Sequence, residues 1–568
     1  MSRPQWVTCP FKRLKPSEIS PTYNEPPLKV RGYTIIYLWA FDAGASNLRV
    51  RVKPKDVVEK LLSLGYAVAC TAYTEKLGGV GIAGEQNELL GAFSIWDDIQ
   101  VPVYVSLGRL ARAIFPQIKI KLPYDEDFRT ASVVASIYVG GAACLSLHLT
   151  PQKLEKGKEL TTDETLNLLE PYSEIGVEVI FPERLRGLIQ NATNLQNAGL
   201  GIFGKKCRKI GDMWYRATLE DVMRLFMFAV YSAVLETLNL RKNPENYRRI
   251  SKAPAKALEY HLIYLLAGDK PVEKPFQEIV KKHPRQCLGL LVCSRVYKMR
   301  SAEWVSNYLV DISPSVGVSG FFSANTTLRI CSDDFWDEAF GVLDAVPTWG
   351  DVISDVALFG LLNCLRILHE AYDLLLTRVL GEGVKELVEA ENRVVAGLEE
   401  IYEARHQVFG SVRDWWWLAE EKLGISELNK AVNEKLSRVH TIITTKTEQK
   451  TNTRLTILTA ITAILTALTI IPIIEKYVSP IMPPLPAPAN TLPLVLAIMA
   501  SIILTATAIR TAPYTAVTAT ATLLKILAKI PIPQKTKTKL AKTLLKTIKT
   551  KHQIEILKRL LKTIHKQP

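Results

Sequence analysis

Residues 455–474 carry no charged side chain, and eleven of the twenty are Leu or Ile. As a helix such a run is about 30 Å long, the thickness of the hydrocarbon layer of a bilayer. A second run, 492–509, is also free of charge. The loop between them holds Pro480, Pro483, Pro484, Pro486 and Pro488, with Glu475 and Lys476 as its charges. Two such runs joined by a Pro-rich loop read as a two-helix transmembrane hairpin rather than as the core of a soluble domain. At a few tenths of a kcal/mol per Leu or Ile, the first run favours insertion by roughly 3–5 kcal/mol. The flanking cations set the orientation: Arg438, Lys446, Lys450 and Arg454 precede the first run, and Arg510 follows the second. The expectation is a multi-pass protein of the cell membrane with both termini cytoplasmic and the loop 475–491 outside.

The charge distribution points the same way. Of the net +15, the segment 525–568 contributes +12, because its 13 Lys and Arg face a single acid, Glu555. In the tail 510–568, Leu540, Leu544, Ile548, Ile556, Leu560 and Ile564 recur at multiples of four with Lys537, Lys542, Lys546 and Lys549 among the cations between them. These lysines are candidates for contact with anionic lipid head groups, each contributing about 1 kcal/mol near the surface. No aromatic residue follows Tyr514. A base-stacking platform is therefore missing from the tail, and nucleic acid is the less suitable partner. The eight cysteines show no zinc-ligand or redox spacing and read as buried free thiols, with a disulfide between distant cysteines as the alternative.

Upstream, residues 1–27 include six prolines and are expected to form a disordered N-terminal tail. From 28 to 205 the pattern is α/β, with strands expected over 32–41, 66–73, 131–139 and 142–149 and a helix over 54–64. From 206 to 424 helical periodicity dominates, over 219–239, 255–267, 333–344, 351–379 and 384–407. The fold class expected is thus an α/β (or α+β) cytoplasmic domain, a helical domain, a stalk helix over 425–454 and the membrane hairpin. Along the stalk, Ile425, Leu428, Val432, Leu436, Val439 and Ile443 form one apolar seam. It needs a partner, either another helix of this chain or a symmetry mate.

Four features bear on chemistry. Gly79-Val80-Gly81-Ile82-Ala83-Gly84 matches the GxGxxG pattern, but its distance from the preceding strand suits a glycine-rich hairpin better than a nucleotide-binding turn. Asp333, Asp334, Asp337 and Glu338 are candidates for a regulatory site for Mg2+ or another divalent cation. The same acids also suit the first turn of a helix capped by Ser332. Trp415, Trp416 and Trp417 read as packing residues. Thr459, Thr462, Thr466 and Thr469 share one face of the first span, as a packing surface or a hydroxyl-lined pore wall. GxSxG, HExxH and P-loop motifs are all missing, and no enzymatic activity is expected.

The stretch Thr451-Asn452-Thr453-Arg454-Leu455-Thr456-Ile457-Leu458-Thr459-Ala460 resembles the start of the first membrane helix in the CorA-type family of magnesium transport proteins. The order of α/β domain, helices, long stalk and two C-terminal spans is also similar. The resemblance implies a homo-oligomer, pentameric in that family, in which the first span lines a cation path. The family's Gly-Met-Asn loop is absent: the chain reads Ile474-Glu475-Lys476-Tyr477-Val478 at that place.

Overall fold

The computed structural model describes residues 12–477, apart from 75–78, 252–255, 314–316, 343–344 and 408–409, and gives backbone alone over 72–74, 103–104, 401, 405–406, 410–414, 456–457 and 459–477. The chain divides into two units, 1–439 and 440–568. The first is mixed α/β around one large sheet. Its strands include β1 (Val30–Asp42), β2 (Ala69–Thr74), β3 (Gly79–Gly84), β4 (Arg129–Tyr138), β5 (Ala142–Leu149), β6 (Ala257–Ala267), β7 (Val318–Phe322) and β8 (Thr326–Cys331). The helices that matter below are α1 (Pro54–Ser63), α2 (Glu88–Gln100), α3 (Leu219–Thr237), α4 (Asp333–Phe340), α5 (Gly350–Val379), α6 (Val384–Gln407), α7 (Gly410–Lys422) and α8 (Ile425–Tyr477).

The sheet centre runs β4-β5-β1-β6-β8-β7. Leu38 of β1 lies opposite Ser146 of β5 and Tyr260 of β6, both antiparallel, whereas β6 and β8 are parallel with His261 opposite Thr326. β1 is buried along almost its whole length. Tyr33, Ile35, Tyr37, Trp39 and Phe41 point into the core that also holds α1 and α3. The opposite face of the sheet is covered by α5: Phe359 stacks on Tyr260 with ring centroids 5.0 Å apart, and the Tyr264 hydroxyl donates to Asp355 at 2.6 Å. The unit is therefore three-layered, and a strand covered on both faces has no polar side to alternate with.

That burial explains two departures from the sequence expectations. Residues 255–267 read as a helix, yet Ala257–Ala267 is a central strand. A continuous apolar run such as Tyr260-His261-Leu262-Ile263-Tyr264-Leu265-Leu266 has no period by which helix and buried strand differ. The division expected near residue 205 is also not a break in the sheet, because β6, β7 and β8 pair into the same sheet as β1. Other expectations match closely. α1 and α6 begin as read, and β5 spans the expected residues. The β4–β5 turn falls at Gly140 and Gly141, with φ of +87° and +94°. A Cβ on Gly141 would lie 2.7 Å from the Ala45 nitrogen, so a side chain has no room there.

The N-terminal segment is more ordered than expected over its described part. Lys12–Arg13 pairs with Val310–Asp311, Leu14 and Ile19 are buried, and Glu25 accepts from the backbone of Arg285 and Gln286. Two apolar anchors and a buried carboxylate outweigh the irregularity of the prolines.

Among the described residues α5 is the helix long and apolar enough to cross a membrane, and 89% of its apolar window is buried inside the protein. It is a core helix. The seam of α8 also finds its partner within the chain. Ile425, Val432 and Val439 are buried, and Lys435 between them bonds Asp373 of α5 at 2.6 Å and the Thr377 hydroxyl at 2.8 Å. Up to Val439 three of the seam residues are buried within their own unit, and Leu428 and Leu436 are half-buried.

Candidate functional site

α4 begins where the capping reading places it: the Ser332 hydroxyl accepts from the Phe335 N–H at 3.1 Å. The four acids do not form a cation cage. Asp333 takes both ends of the Arg31 guanidinium at 3.0 and 2.8 Å and the Val272 N–H at 2.7 Å. Burial pushes its carboxyl up, but the Arg31 and Val272 hydrogen bonds prevail and hold it below the usual range. Asp337 pairs with Lys153 at 3.1 Å, and Asp334, Asp337 and Glu338 are exposed. Among the described residues no three His, Cys, Asp or Glu side chains converge as a metal site. These residues therefore fit a capped helix and a bidentate ion pair, not Mg2+. Ser332→Ala is expected to cost about 1 kcal/mol. Added Mg2+ is expected to leave amide exchange over 333–338 unchanged, and protection at millimolar Mg2+ would restore the cation reading.

The GxGxxG segment is β3, a hairpin partner of β2 with Ile82 opposite Thr71. Its outer edge is covered by α2: Val80 donates to Asp98 at 3.1 Å and its carbonyl accepts from the Ser94 hydroxyl at 3.0 Å. Gly84, at φ +99°, brings its backbone so close to Val68 that a Cβ would lie 2.4 Å from the carbonyl oxygen. The glycines allow close packing of a strand, and no helix starts directly after them to receive a phosphate. Trp415 and Trp416 are buried; Trp415 donates to the Ile312 carbonyl at 3.3 Å and lies 4.5 Å from the Arg329 guanidinium. Thr459, Thr462, Thr466 and Thr469 fall in the helical backbone of α8. Lys537, Lys542, Lys546 and Lys549, together with the run 492–509, lie outside the described residues.

The first unit has an open cleft of about 790 Å³ between segments 124–130, 150–160 and Glu164. Its floor is a buried network. Arg129 donates to the Thr150 carbonyl at 3.0 Å and faces Asp125, which accepts from the Tyr33 hydroxyl at 2.5 Å; the guanidinium lies 5.0 Å from the Tyr33 ring centre. Burial, then Asp125, push the Tyr33 hydroxyl well above the ordinary tyrosine range, so it stays a donor. At the rim Lys158 pairs with Glu126 at 2.8 Å and Glu155 at 2.9 Å. Gln152 lines the cleft, and its Oε1 is buried without a partner among the described residues. A mixed-charge rim over a fixed polar floor suits recognition of a polar ligand, whose donor would satisfy Gln152.

Two ion pairs are buried in the layers around α5. Arg112 is held by both oxygens of Asp97 at 2.8 Å, with the Ser136 hydroxyl and the Phe93 ring on its other sides. Arg329 is held by Asp355 at 3.0 and 2.7 Å. Sequence reasoning passed over both pairs, although an Arg inside Leu110–Ile114 or Thr326–Cys331 signals a buried counter-ion. The cleft had no such signal, because its walls come from separate loops.

No family model matches this chain, no curated protein matches it, and no solved structure matches it.

Proposed function

We propose that the chain is an integral membrane protein that anchors a ligand-binding unit, residues 12–439, at the cytoplasmic face. The runs 455–474 and 492–509 cross the bilayer, and the basic tail rests on anionic head groups. The observation that carries this reading is the continuous helical backbone of α8 from Ile425 to Tyr477, which takes in the whole charge-free run 455–474. A bilayer accepts only segments whose backbone groups are bonded internally, and a helix meets that condition. The polar cleft of the first unit supports binding as its work.

A second reading, an oligomeric CorA-like cation channel, is favoured by one feature: the threonine positions 459, 462, 466 and 469 recur along one side of that helix. Two spans cannot enclose a water-filled path, so conduction needs several copies around an axis. Alkaline extraction of membranes and native mass spectrometry in nanodiscs test both. Retention in the pellet with a monomeric or dimeric mass supports the anchored unit. A stable pentamer favours the channel, and release into the alkaline supernatant sinks both.

A further inference from the structure

Where β1 ends, loop 43–51 meets the β4–β5 turn. Gly44, Gly140 and Gly141 have φ of +139°, +87° and +94°, and this lets the two backbones touch. Arg393 of α6 reaches this junction and donates from Nη2 to the Gly44 carbonyl at 2.9 Å. That is one of the five N–H donors a guanidinium carries. No ion pair holds Arg393 among the described residues. The nearby Asp42 carboxylate is engaged elsewhere, accepting from Gly44 N–H at 2.8 Å, Ala45 N–H at 2.6 Å and the Ser46 hydroxyl.

Two further groups lack partners at the same place. The Tyr372 hydroxyl is fully buried without a hydrogen bond among the described residues, against Gly140 and Gly397. Arg51 is exposed, in no ion pair among the described residues, and close enough to oppose the charge of Arg393. Burial first, with Arg51 adding to it, holds Arg393 below the ordinary arginine range even though Tyr372, Asp42 and Glu389 favour its charge. Elsewhere in this unit buried arginines are answered by carboxylates, as Arg112 is by Asp97 and Arg329 by Asp355. A half-buried guanidinium that no carboxylate bonds directly among the described residues, with Asp42 and Glu389 acting only at a distance and a second cation nearby, is the unusual case.

We propose that Arg393, with Arg51 beside it, is the receiving end of a site for an oxyanion, the phosphate or carboxylate group of a ligand. An oxyanion would accept the free guanidinium donors in forked geometry and cancel the repulsion between the two arginines. The Gly44 carbonyl fixes the guanidinium from behind and so pre-orients the fork. The site involves neither the cleft nor the anchor, and it stands whether or not the membrane reading holds. The same phosphate chemistry could arrive on a soluble metabolite or on a lipid head group.

The test uses the full chain in neutral phosphatidylcholine nanodiscs, with amide exchange read over 43–51 and 390–397. Inorganic phosphate, pyrophosphate and acetate are added at constant ionic strength against chloride. One of these anions is expected to slow exchange in both segments at least about fivefold, a gain of roughly 1 kcal/mol in local stability. In Arg393→Gln and in Arg51→Gln the concentration needed should rise about tenfold or more. Arg51 is exposed, so its variant serves if Arg393→Gln does not fold. Protection by soluble anions assigns a soluble ligand. Protection only in discs containing phosphatidic acid assigns a head group. Equal exchange under all these conditions, or protection undiminished in Arg51→Gln and Arg393→Gln, overturns the proposal.

Discussion

Asp97→Ala is expected to lower the stability of the first unit by about 3–5 kcal/mol, the usual cost of stranding one member of a buried ion pair. Arg112 and Asp97 are both about 1% exposed, and the carboxylate meets the guanidinium at 2.8 Å through two bonds. Without it the charge is left with the Ser136 hydroxyl and the face of Phe93, neither of which compensates for lost hydration. The pair itself is a weak net stabiliser, so Asp97→Leu combined with Arg112→Met should recover most of the loss. Urea unfolding of the full chain in detergent, followed by Trp fluorescence, measures both variants. If Asp97→Ala shifts the midpoint no more than a surface substitution does, water reaches Arg112 and the burial described above is wrong.

Mild acid is expected to destabilise the same unit. Burial holds the His148 imidazole down at about 3, with Arg112 adding to the effect, and holds the His261 imidazole down at about 4. Both rings are therefore neutral in the folded protein, while the unfolded chain takes up protons below the ordinary value of about 6.5. Their contribution is complete above that value and is lost as the pH falls through the window toward 4 for His261 and toward 3 for His148. By about pH 5 each has given up roughly 2 kcal/mol, and together about 4 kcal/mol. The carboxyls of Asp42, Glu25 and Asp311, raised by burial, act in the opposite sense and offset part of it. The histidine share is isolated by His148→Gln with His261→Gln, which should flatten the unfolding midpoint between pH 7 and 5 relative to the parent chain. An unchanged slope would mean that the two rings are charged or hydrated in the folded state.

These two effects lie where the sequence was hardest to read. His148 belongs to a strand whose span was legible to the residue, yet nothing in Ala142–Leu149 says that the ring ends between Phe93 and Ser146. His261 lies in the segment that read as a helix. Of the candidate residues, the acids of α4 illustrate the limit well. Asp333-Asp334 after Ser332 is equally good text for a helix start and for a cation site, and only Arg31, some three hundred positions away, decides between them. The cleft and the Arg393 junction were illegible for the same reason: each is assembled from loops that meet only because the sheet brings them together.

The sequence by itself determined what local energetics control. These are the charge-free runs 455–474 and 492–509, the +12 tail, and the turn at Gly140-Gly141. The starts of α1 and α6 and the capped start of α4 belong with them. Each depends on neighbours within a few residues, through transfer free energy, φ preference or an orphan N–H. The tertiary structure alone decided that Ala257–Ala267 is a strand, that 12–27 is tied down, and that Lys435 ties α8 to α5. It also decided which arginines have counter-ions. Those outcomes are set by burial against partners far along the chain, and a short stretch of sequence carries no record of which distant surface will cover it.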